Sequence, residues 1–283
     1  MRALDRTELP AAAPVRNTLS PTLVDLHCHI LPGLDDGPVN LDFSMLMARR
    51  AAEAGTQMIV ATPHIRDDYA VPATAIDASV GALNEQIEKE GLPLTVMAGG
   101  EVALTKAAAL PDEELSRFTL AGGRSLLLES PFRRDTIDVE ATIADVQSRG
   151  YTAILAHPER CHLFLNQPER LERLVESGVM CSLTAVSIAG GFGDRVRRFS
   201  LRLLAGGLVH NIASDAHDHL HRPPTLLEHL IDTEDEIPGF DRQRAWYTTT
   251  APVAILADRP LPARPPLPEV KQSGWRRLLS RGR

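Results

Sequence analysis

The chain has 283 residues, 43% of them hydrophobic and 24% charged, which is enough to bury the core of one large soluble domain with short appendages. Its formal net charge of −7 argues against a nucleic-acid binder, because such proteins concentrate basic residues on one face. From residue 259 onward seven Lys and Arg residues stand against a single Glu, so the rest of the chain is more acidic than the total suggests.

The first 21 residues are rich in Pro, Ala and Thr and have no periodicity, so we interpret residues 1–21 as a flexible arm. They lack the apolar run of a signal peptide, and no stretch of 18 apolar residues occurs anywhere. Cys28, Cys161 and Cys181 show no paired spacing, which is typical of free thiols in a reducing compartment. We therefore expect a cytoplasmic protein.

Seven short apolar runs follow the arm, each of them a candidate strand, and helix-like segments separate them. In chain order the runs are LVDLH, MIVATPH, LTVMAGGE, SLLLE, TAILAH, VMCSLT and HNIASD. The segments between them, such as LDFSMLMARRAAEAG and AIDASVGALNEQIEKEG, have helical periodicity and end in the Gly that a helix C-cap favours. This alternation predicts an α/β fold with a parallel sheet covered on both faces.

Six of the seven runs end in His, Glu or Asp. Polar residues begin ordinary loops as well, but their repetition over six strands favours a closed barrel, in which all carboxyl ends of the strands meet at one rim. We therefore predict a TIM-like barrel that forms a single domain over residues 22–257.

Residues 258–283 form a Pro-rich basic tail whose proline spacing predicts an extended, semi-rigid segment. Its last ten residues, GWRRLLSRGR, interleave Trp275, Leu278 and Leu279 with arginines. This composition allows weak contact with an anionic membrane surface or an acidic partner. A solvated tail is the simpler interpretation, because the apolar content is small.

The residues with metal-ligand chemistry cluster at the predicted strand ends. His27 and His29 alternate with Cys28 on an extended strand, so both imidazoles should point to one side. The other candidates stand at or just beyond later strand ends. The complete set of candidate metal ligands is His27, His29, Asp36, His64, Glu101, Glu129, His157, Asp215 and His217.

Five imidazoles and four carboxylates without a thiolate suit Mn²⁺, Fe²⁺ or Zn²⁺. Nine ligands are too many for one ion, so they imply two or three ions that share carboxylates, an arrangement suited to phosphate displacement. Asp35, in contrast, is interpreted as a turn former in GLDDGP. The remaining five histidines are assigned to the surface or to local hydrogen bonds, namely His162, His210, His219, His221 and His229.

Two arginines accompany the candidate ligands. Arg160 lies three residues after His157, and Arg222 lies seven after Asp215. A guanidinium can bind phosphate oxygens in a bidentate manner and offset charge in a transition state, although either side chain could be an ordinary surface arginine. The chain has no G-x-S-x-G elbow, no Walker A loop and no Cys with an Arg six positions later. A hydrolase of this sequence would therefore use metal-activated water.

The motifs DLHCHILPGLDDGP, ATPH, GGEV, LLLESP, AHPER and ASDAHD, in this order, resemble the polymerase-and-histidinol-phosphatase superfamily. Within it, the sequence is similar to the bacterial manganese-dependent tyrosine phosphatases of capsular and exopolysaccharide synthesis, from about Val24 to Ala257. The resemblance implies a distorted seven-stranded barrel with a trinuclear metal centre. It also implies that Arg160 and Arg222 lie on the phosphate side of the site.

The resemblance implies a division of the ligands among three ions. One ion would be held by His27, His29, Glu101 and Asp215, and Glu101 would bridge to a second. The second ion would also be held by Glu129 and His157, and the third by Asp36, His64 and His217. Three positions depart from the family pattern near the substrate pocket, namely Ile65, Ser130 and Cys161.

The resemblance implies that the chain removes phosphate from phosphotyrosine, with a bacterial tyrosine kinase of capsule or exopolysaccharide synthesis as the partner. Two alternatives stay open. A small-molecule phosphomonoesterase, acting on histidinol phosphate or a nucleotide, would use the same ligands. A non-catalytic, metal-stabilised interaction module would bind metal without hydrolysing any phosphate ester.

Overall fold

The computed structural model describes residues 23–129 and 137–268. The arm predicted over residues 1–21, Ser130, and the end of the tail with Trp275, Leu278 and Leu279 lie outside these residues. Within them the chain forms nine strands: β1 Leu23–Cys28, β2 Thr56–Ala61, β3 His64–Ile65, β4 Thr95–Ala98, β5 Glu101–Ala103, β6 Ser125–Glu129, β7 Thr152–Ala156, β8 Met180–Thr184 and β9 Asn211–Ala213.

Helices occupy most of the connections between these strands. Their bounds are α1 Leu41–Glu53, α2 Ala73–Lys89, α3 Leu104–Ala109, α4 Asp112–Leu115, α5 Val139–Ser148, α6 His162–Asn166, α7 Pro168–Glu176, α8 Ala185–Ala189, α9 Asp194–Ala205, α10 Thr233–Glu236, α11 Phe240–Ala245 and α12 Ala251–Leu256. Short 3₁₀ turns cover Ser116–Phe118, Leu120–Gly122, Pro158–Arg160 and Leu227–Leu230, and a π-helix covers Trp246–Thr250. No helix in the described residues is both long and apolar enough to span a membrane.

All strand pairs are parallel, and they form two sheets. One sheet has the order β1-β2-β4 and the other the order β3-β5-β6-β7-β8-β9. The prediction of an α/β fold with parallel strands is therefore confirmed. Main-chain contacts also join the first strand to the chain that follows β9: His29 N donates to Ala216 O at 2.8 Å, and Asp215 N donates to His27 O at 2.8 Å.

Two of the seven predicted strands are each divided in two. MIVATPH contains β2 and β3, separated at Pro63, which has no N–H to donate to a neighbouring strand. LTVMAGGE contains β4 and β5, separated at Gly99 and Gly100. A Cβ on Gly99 would lie 2.7 Å from Val60 Cγ1, so only glycine allows this close approach. Both breaks transfer the chain from the first sheet to the second.

Successive residues of a strand pack into two different apolar clusters. Leu127 and Ile154, which are register partners in β6 and β7, belong to a small cluster with Val24, Leu26 and Val60. Their neighbours along the strands belong to the larger cluster beneath the helices: Leu126, Leu128, Ala153 and Leu155. Because side chains alternate across a strand, the small cluster marks one face of the sheets and the large cluster the other.

The last described segment, residues 258–268, contains no helix or strand and packs against the body. Trp246 Nε1 donates to Pro262 O at 2.9 Å, and Arg264 donates to Gly207 O at 3.0 Å and to Val209 O at 3.1 Å. We refer to residues 258–268 as the strap. Its contacts at Gly207 and Val209 lie just before β9, at the amino end of that strand.

The break at Gly99 generates the first prediction. Gly99→Ala should lower the free energy of unfolding by about 1–3 kcal/mol, because the new Cβ would overlap Val60 and Leu120. The matched control is Gly81→Ala in α2, where a Cβ meets nothing within 4 Å and alanine should be neutral or stabilising. Urea unfolding of the metal-free proteins would measure both, and equal midpoints for Gly99→Ala and the wild type would contradict this account of the break.

Candidate metal centre

The nine candidate ligands converge beyond the small apolar cluster, at the carboxyl ends of the strands. Glu129 lies two residues after Leu127, and Glu101 is the register partner of Leu127, so both carboxylates face the same side as that cluster. Seven of the nine residues are buried, the His217 side chain is 10% exposed, and Asp36, with its side chain 48% exposed, lies at the open rim.

The structure brings these side chains within the distances that shared ions require. His27 Nε2 and His29 Nε2 lie 3.2 Å apart, and Asp215 Oδ1 lies 3.5 Å and 3.6 Å from the two atoms, respectively. His157 Nε2 lies 2.7 Å from Glu101 Oε1.

Three overlapping groups have ligand atoms that all lie within 4.8 Å of one another. They are His29 with Asp36, His64 and His217; His27 with His29 and Glu101; and His64 with Glu101 and Glu129.

These groups overlap more than the three ligand sets that the resemblance implies. His29 lies with the ligands assigned to the third ion, since its ring centroid is 4.0 Å from that of His217. His64 serves two groups: its Nε2 lies 3.5 Å from Asp36 Oδ1 and its Nδ1 lies 2.9 Å from Glu101 Oε2. His29 and His64 therefore connect the groups, and Glu101 belongs to two of them.

The donor set fits divalent cations, and Glu101 gives the clearest test. Its Oε2 is buried and accepts no hydrogen bond of acceptable geometry from the described residues. Nevertheless His27 Nε2 and His29 Nε2 lie 3.3 Å and 3.4 Å from that oxygen, and His64 Nδ1 lies still closer. A buried carboxylate oxygen without a partner is unfavourable, whereas a cation among these nitrogens would satisfy it.

The charges of the site are consistent with this fit. Burial raises the pKa of Glu129, and repulsion from Glu101 adds to the increase. Burial also lowers the pKa of His157 to about 4, with the Arg160 guanidinium contributing, so the imidazole is neutral at pH 7, as a metal ligand must be. Both shifts disfavour net charge in the metal-free site, and both groups would gain from a divalent cation.

Asp35 has a larger role than the turn predicted for it. Its Oδ1 accepts from Gly37 N at 3.0 Å, which is the turn contact, but its Oδ2 lies 2.6 Å from His29 Nδ1 and accepts from His64 N at 3.0 Å. Burial would raise the pKa of Asp35, but the hydrogen bond and charge of His29, together with the backbone hydrogen bonds from Gly37 and His64, outweigh burial and lower it to about 2. Asp35 thus orients two candidate ligands, as carboxylates commonly do for metal-binding histidines.

Arg160 and Arg222 both pair with Asp215. Arg160 Nη1 donates to Asp215 Oδ2 at 2.5 Å, and Arg222 Nη2 lies 2.8 Å from the same oxygen. Burial acts to raise the pKa of Asp215, but His27, followed by Arg160, lowers it well below its usual range. Asp215 therefore stays ionised and holds both guanidinium groups beside the candidate ligands.

Two of the clustered residues have left-handed backbone conformations. The φ angles of His157 and Asp215 are +35° and +51°. A non-glycine residue in this region stores of the order of 1–3 kcal/mol of strain, and such residues concentrate at functional sites. Asp215 N donates to His27 O and His157 N donates to Ser182 O at 2.9 Å, and these bonds hold the strained residues in place.

The sequence analysis missed several polar residues that support the cluster. Buried Asp25 accepts from Ser214 N at 3.0 Å, which ties β1 to the chain before Asp215. Buried Glu159 accepts from Ser187 Oγ at 2.6 Å and from Thr184 N at 3.1 Å. Their position in the sequence could have identified them, because each acid stands two residues from a candidate histidine, in DLH and HPE.

Arg66 was also missed. Its Nη1 donates to Glu129 Oε1 at 2.9 Å, and its guanidinium lies 5.3 Å from the ring centroid of Tyr69. The adjacent Ile65, one of the departures noted in the sequence, lines a cavity of about 340 Å³ with Tyr69 and Phe118. Arg66 is near Glu129 only because β3 and β6 flank β5, a relation that local sequence does not reveal.

Parallel strands that carry buried imidazoles, carboxylates and two arginines at their carboxyl ends define a metal-binding α/β protein. The family described as "Capsular polysaccharide synthesis, CpsB/CapC" matches residues 23–237. The chain belongs to this family. The match confirms the relation to capsule-synthesis proteins that the motifs indicated.

Two relatives and one solved structure are similar over most of the chain. Tyrosine-protein phosphatase YwqE of Bacillus subtilis is 33% identical over 247 residues, which cover 87% of this chain and 96% of the relative. Putative tyrosine-protein phosphatase CapC of Staphylococcus aureus is 28% identical, covering 91% and 100%.

The solved structure comes from crystallography of YwqE from Bacillus subtilis and CpsB from Streptococcus pneumoniae, described as unique metal-dependent tyrosine phosphatases. It superimposes with a TM-score of 0.76 at 32% identity, covering 88% of this chain and all of that one.

The contact between His29 and Asp35 generates the second prediction. Burial lowers the pKa of His29, but the hydrogen bonds and negative charges of Asp35 and Glu101 together outweigh burial and raise it to about 10, so metal-free His29 is protonated below that pH. Metal binding at pH 7.5 must therefore release this proton, and the apparent affinity should rise with pH up to about 10. Asp35→Asn keeps an oxygen for the turn but lowers the pKa of His29, so the variant should release about one proton fewer.

Calorimetric titration of metal-free protein with Mn²⁺ in buffers of different ionisation enthalpy measures this proton release. Asp145→Asn, at an exposed position of α5, is the control and should behave as the wild type. Equal proton release by Asp35→Asn and the wild type would contradict the assignment.

Proposed function

We propose that this chain is a metal-dependent protein-tyrosine phosphatase that acts on a tyrosine kinase of capsular or exopolysaccharide synthesis. The observation that carries the proposal is the convergence of five imidazoles and four carboxylates beside two arginines that share Asp215. The relatives named tyrosine-protein phosphatases support the reaction, and their family supports the pathway. A phosphoprotein of the cytoplasm is the corresponding substrate, and no nucleic-acid partner is proposed.

We further propose that the strands close into a distorted seven-stranded barrel. Counting β2 with β3 and β4 with β5 reduces the nine strands to seven. A parallel β-bridge between Cys28 and Ala216 then joins the end of β1 to the residues that follow β9. The small apolar cluster would be the barrel interior, and its position beneath the candidate ligands supports this arrangement.

We propose Mn²⁺ as the metal, in two or three sites, with Fe²⁺ or Zn²⁺ as possible replacements, because mixed imidazole and carboxylate ligands suit all three ions. Such cations, when bound, act as Lewis acids on phosphoryl oxygens and lower the pKa of water. The residues that would hold them are the nine candidate ligands. Asp35 would orient His29, and Arg66 would orient Glu129 through their hydrogen bonds.

The chain's own contribution to catalysis would be to bind and orient the phosphate. Arg160 and Arg222 present planar guanidinium groups that can bind phosphate oxygens and offset the charge of the transition state. Because both donate to Asp215, their positions are set before substrate arrives, and little ordering is required on binding. The phenolate of tyrosine, whose conjugate acid has a pKa of about 10, leaves without strong general-acid help.

The role of Arg160 generates the third prediction. Arg160→Ala should reduce kcat/KM for a phosphotyrosine peptide by about 10²–10³-fold, the effect of removing one preorganised contact to a developing charge. Arg202→Ala, at an exposed position of α9 facing Glu172, is the matched control and should retain activity. Metal analysis of both variants separates loss of phosphate contact from loss of metal, and a fully active Arg160→Ala with full metal content would refute the role.

Substrate comparison tests the function itself. With Mn²⁺ added, the protein should hydrolyse a phosphotyrosine peptide faster than histidinol phosphate or a nucleoside monophosphate, and excess chelator should abolish the activity. Preference for a small phosphomonoester would replace the proposal by the first alternative. Tight Mn²⁺ binding without hydrolysis of any of the three esters would favour the non-catalytic module.

A further inference from the structure

Phe192 stands at the opening of the site, next to both arginines. It is one of five large hydrophobic side chains that are exposed among the described residues, with 37% of its surface accessible. Arg160 Cζ lies 4.6 Å from its ring centroid, and Arg222 Cζ lies 5.9 Å away. The two guanidinium groups that bind Asp215 therefore also contact one aromatic ring.

The loop that carries Phe192 is held in a defined conformation. Gly190 and Gly193 flank it with φ angles of +95° and +88°, a region that glycine adopts without strain. Gly191 packs closely on α8, since a Cβ there would lie 2.3 Å from Val186 Cγ1. Gly191 N donates to Val186 O at 2.9 Å, and Gly193 N donates to Gly190 O at 2.9 Å. The ring is thus presented to the site by a loop that is itself fixed.

We propose that Phe192 is a specificity-determining residue that contacts the aromatic ring of the substrate's leaving group. This inference rests on the proposed function, because it requires Arg160 and Arg222 to hold the phosphate. The phenyl ring of phosphotyrosine is joined to the phosphate by one oxygen, so it must lie close to those arginines, and the ring of Phe192 lies 4.6 Å and 5.9 Å from the same two guanidinium groups. Two rings in contact attract each other by edge-to-face or offset stacking, whereas an alkyl group offers no such pairing.

Binding of two phosphonates tests the proposal without requiring turnover. Phenylphosphonate and methylphosphonate share the anionic group but differ in the ring, and calorimetry on the Mn²⁺-loaded protein gives both dissociation constants. Phe192→Ala should weaken phenylphosphonate by about tenfold, the upper range for an aromatic pair, and change methylphosphonate by less than about twofold. Phe192→Tyr should retain the preference for the phenyl compound.

Phe43→Ala is the matched control, because Phe43 is an equally exposed phenylalanine, at 41%, on α1. It should leave both dissociation constants unchanged. If Phe192→Ala weakens both phosphonates equally, the ring acts only by positioning the arginines, and the specificity role is overturned. If it weakens neither, Phe192 has no part in recognition.

This measurement also keeps the inference separate from the proposed function. If the wild-type chain prefers phenylphosphonate through Phe192 but does not hydrolyse phosphotyrosine, the proposed ring contact stands and the proposed reaction is refuted. If the Phe192→Ala variant hydrolyses phosphotyrosine as effectively as the wild type and its phosphonate binding is unchanged, the proposed reaction stands and the proposed ring contact is refuted.

Discussion

The buried carboxylate of Glu101 is the constraint on which the rest of the site depends. Imidazole nitrogens surround it: His157 contacts Oε1, and His27, His29 and His64 surround Oε2. Burial opposes its charge, but the neighbouring His27 and His157 lower the pKa of Glu101 well below its usual range. A negative charge fixed in this position, among imidazole nitrogens that can act as metal ligands, favours the binding of cations. The candidate ligands come from strands that are far apart in sequence because the carboxyl ends of parallel strands meet at one edge.

Asp215 complements Glu101 on the other side of the cluster. Its side chain approaches His27 and His29 and pairs with two arginines, and its backbone belongs to the segment that bridges the first strand to the end of the last. Its left-handed backbone is the local cost of this geometry. The candidate metal ligands, the two arginines and the bridge between the first strand and the chain after the last are thereby connected through a single residue.

Much of this arrangement could be predicted from the sequence, and the rest could not for definable reasons. The parallel α/β fold followed from the alternation of apolar runs and helical segments, and six of the nine candidate ligands from the His, Glu or Asp that ends six of the seven runs. The division of two runs at Pro63 and at Gly99 was not predicted, because Pro and Gly mark an interruption of a strand but do not show that the chain continues in a different sheet. Their effect depends on how closely the backbone of one strand approaches another.

Supporting residues were harder to predict than ligands. The turn pattern accounts for Asp35 on its own, so nothing further in the sequence indicates its second contact, to His29. Phe192 and Arg66 meet their partners only through the order of strands and loops, which local periodicity does not encode. The resemblance divides nine side chains among separate ions, whereas in the structure seven of them fall into three overlapping groups, and His157 and Asp215 lie beside members of those groups.

The strap places its anchoring contacts at the amino end of β9, whereas the candidate ligands occupy the carboxyl ends. Arg264 and Pro262 secure it there, and Leu261 packs against both apolar clusters from that side. Substitutions in residues 258–268 can therefore change the thermal stability of the fold without disturbing the candidate ligands at the opposite end of the strands.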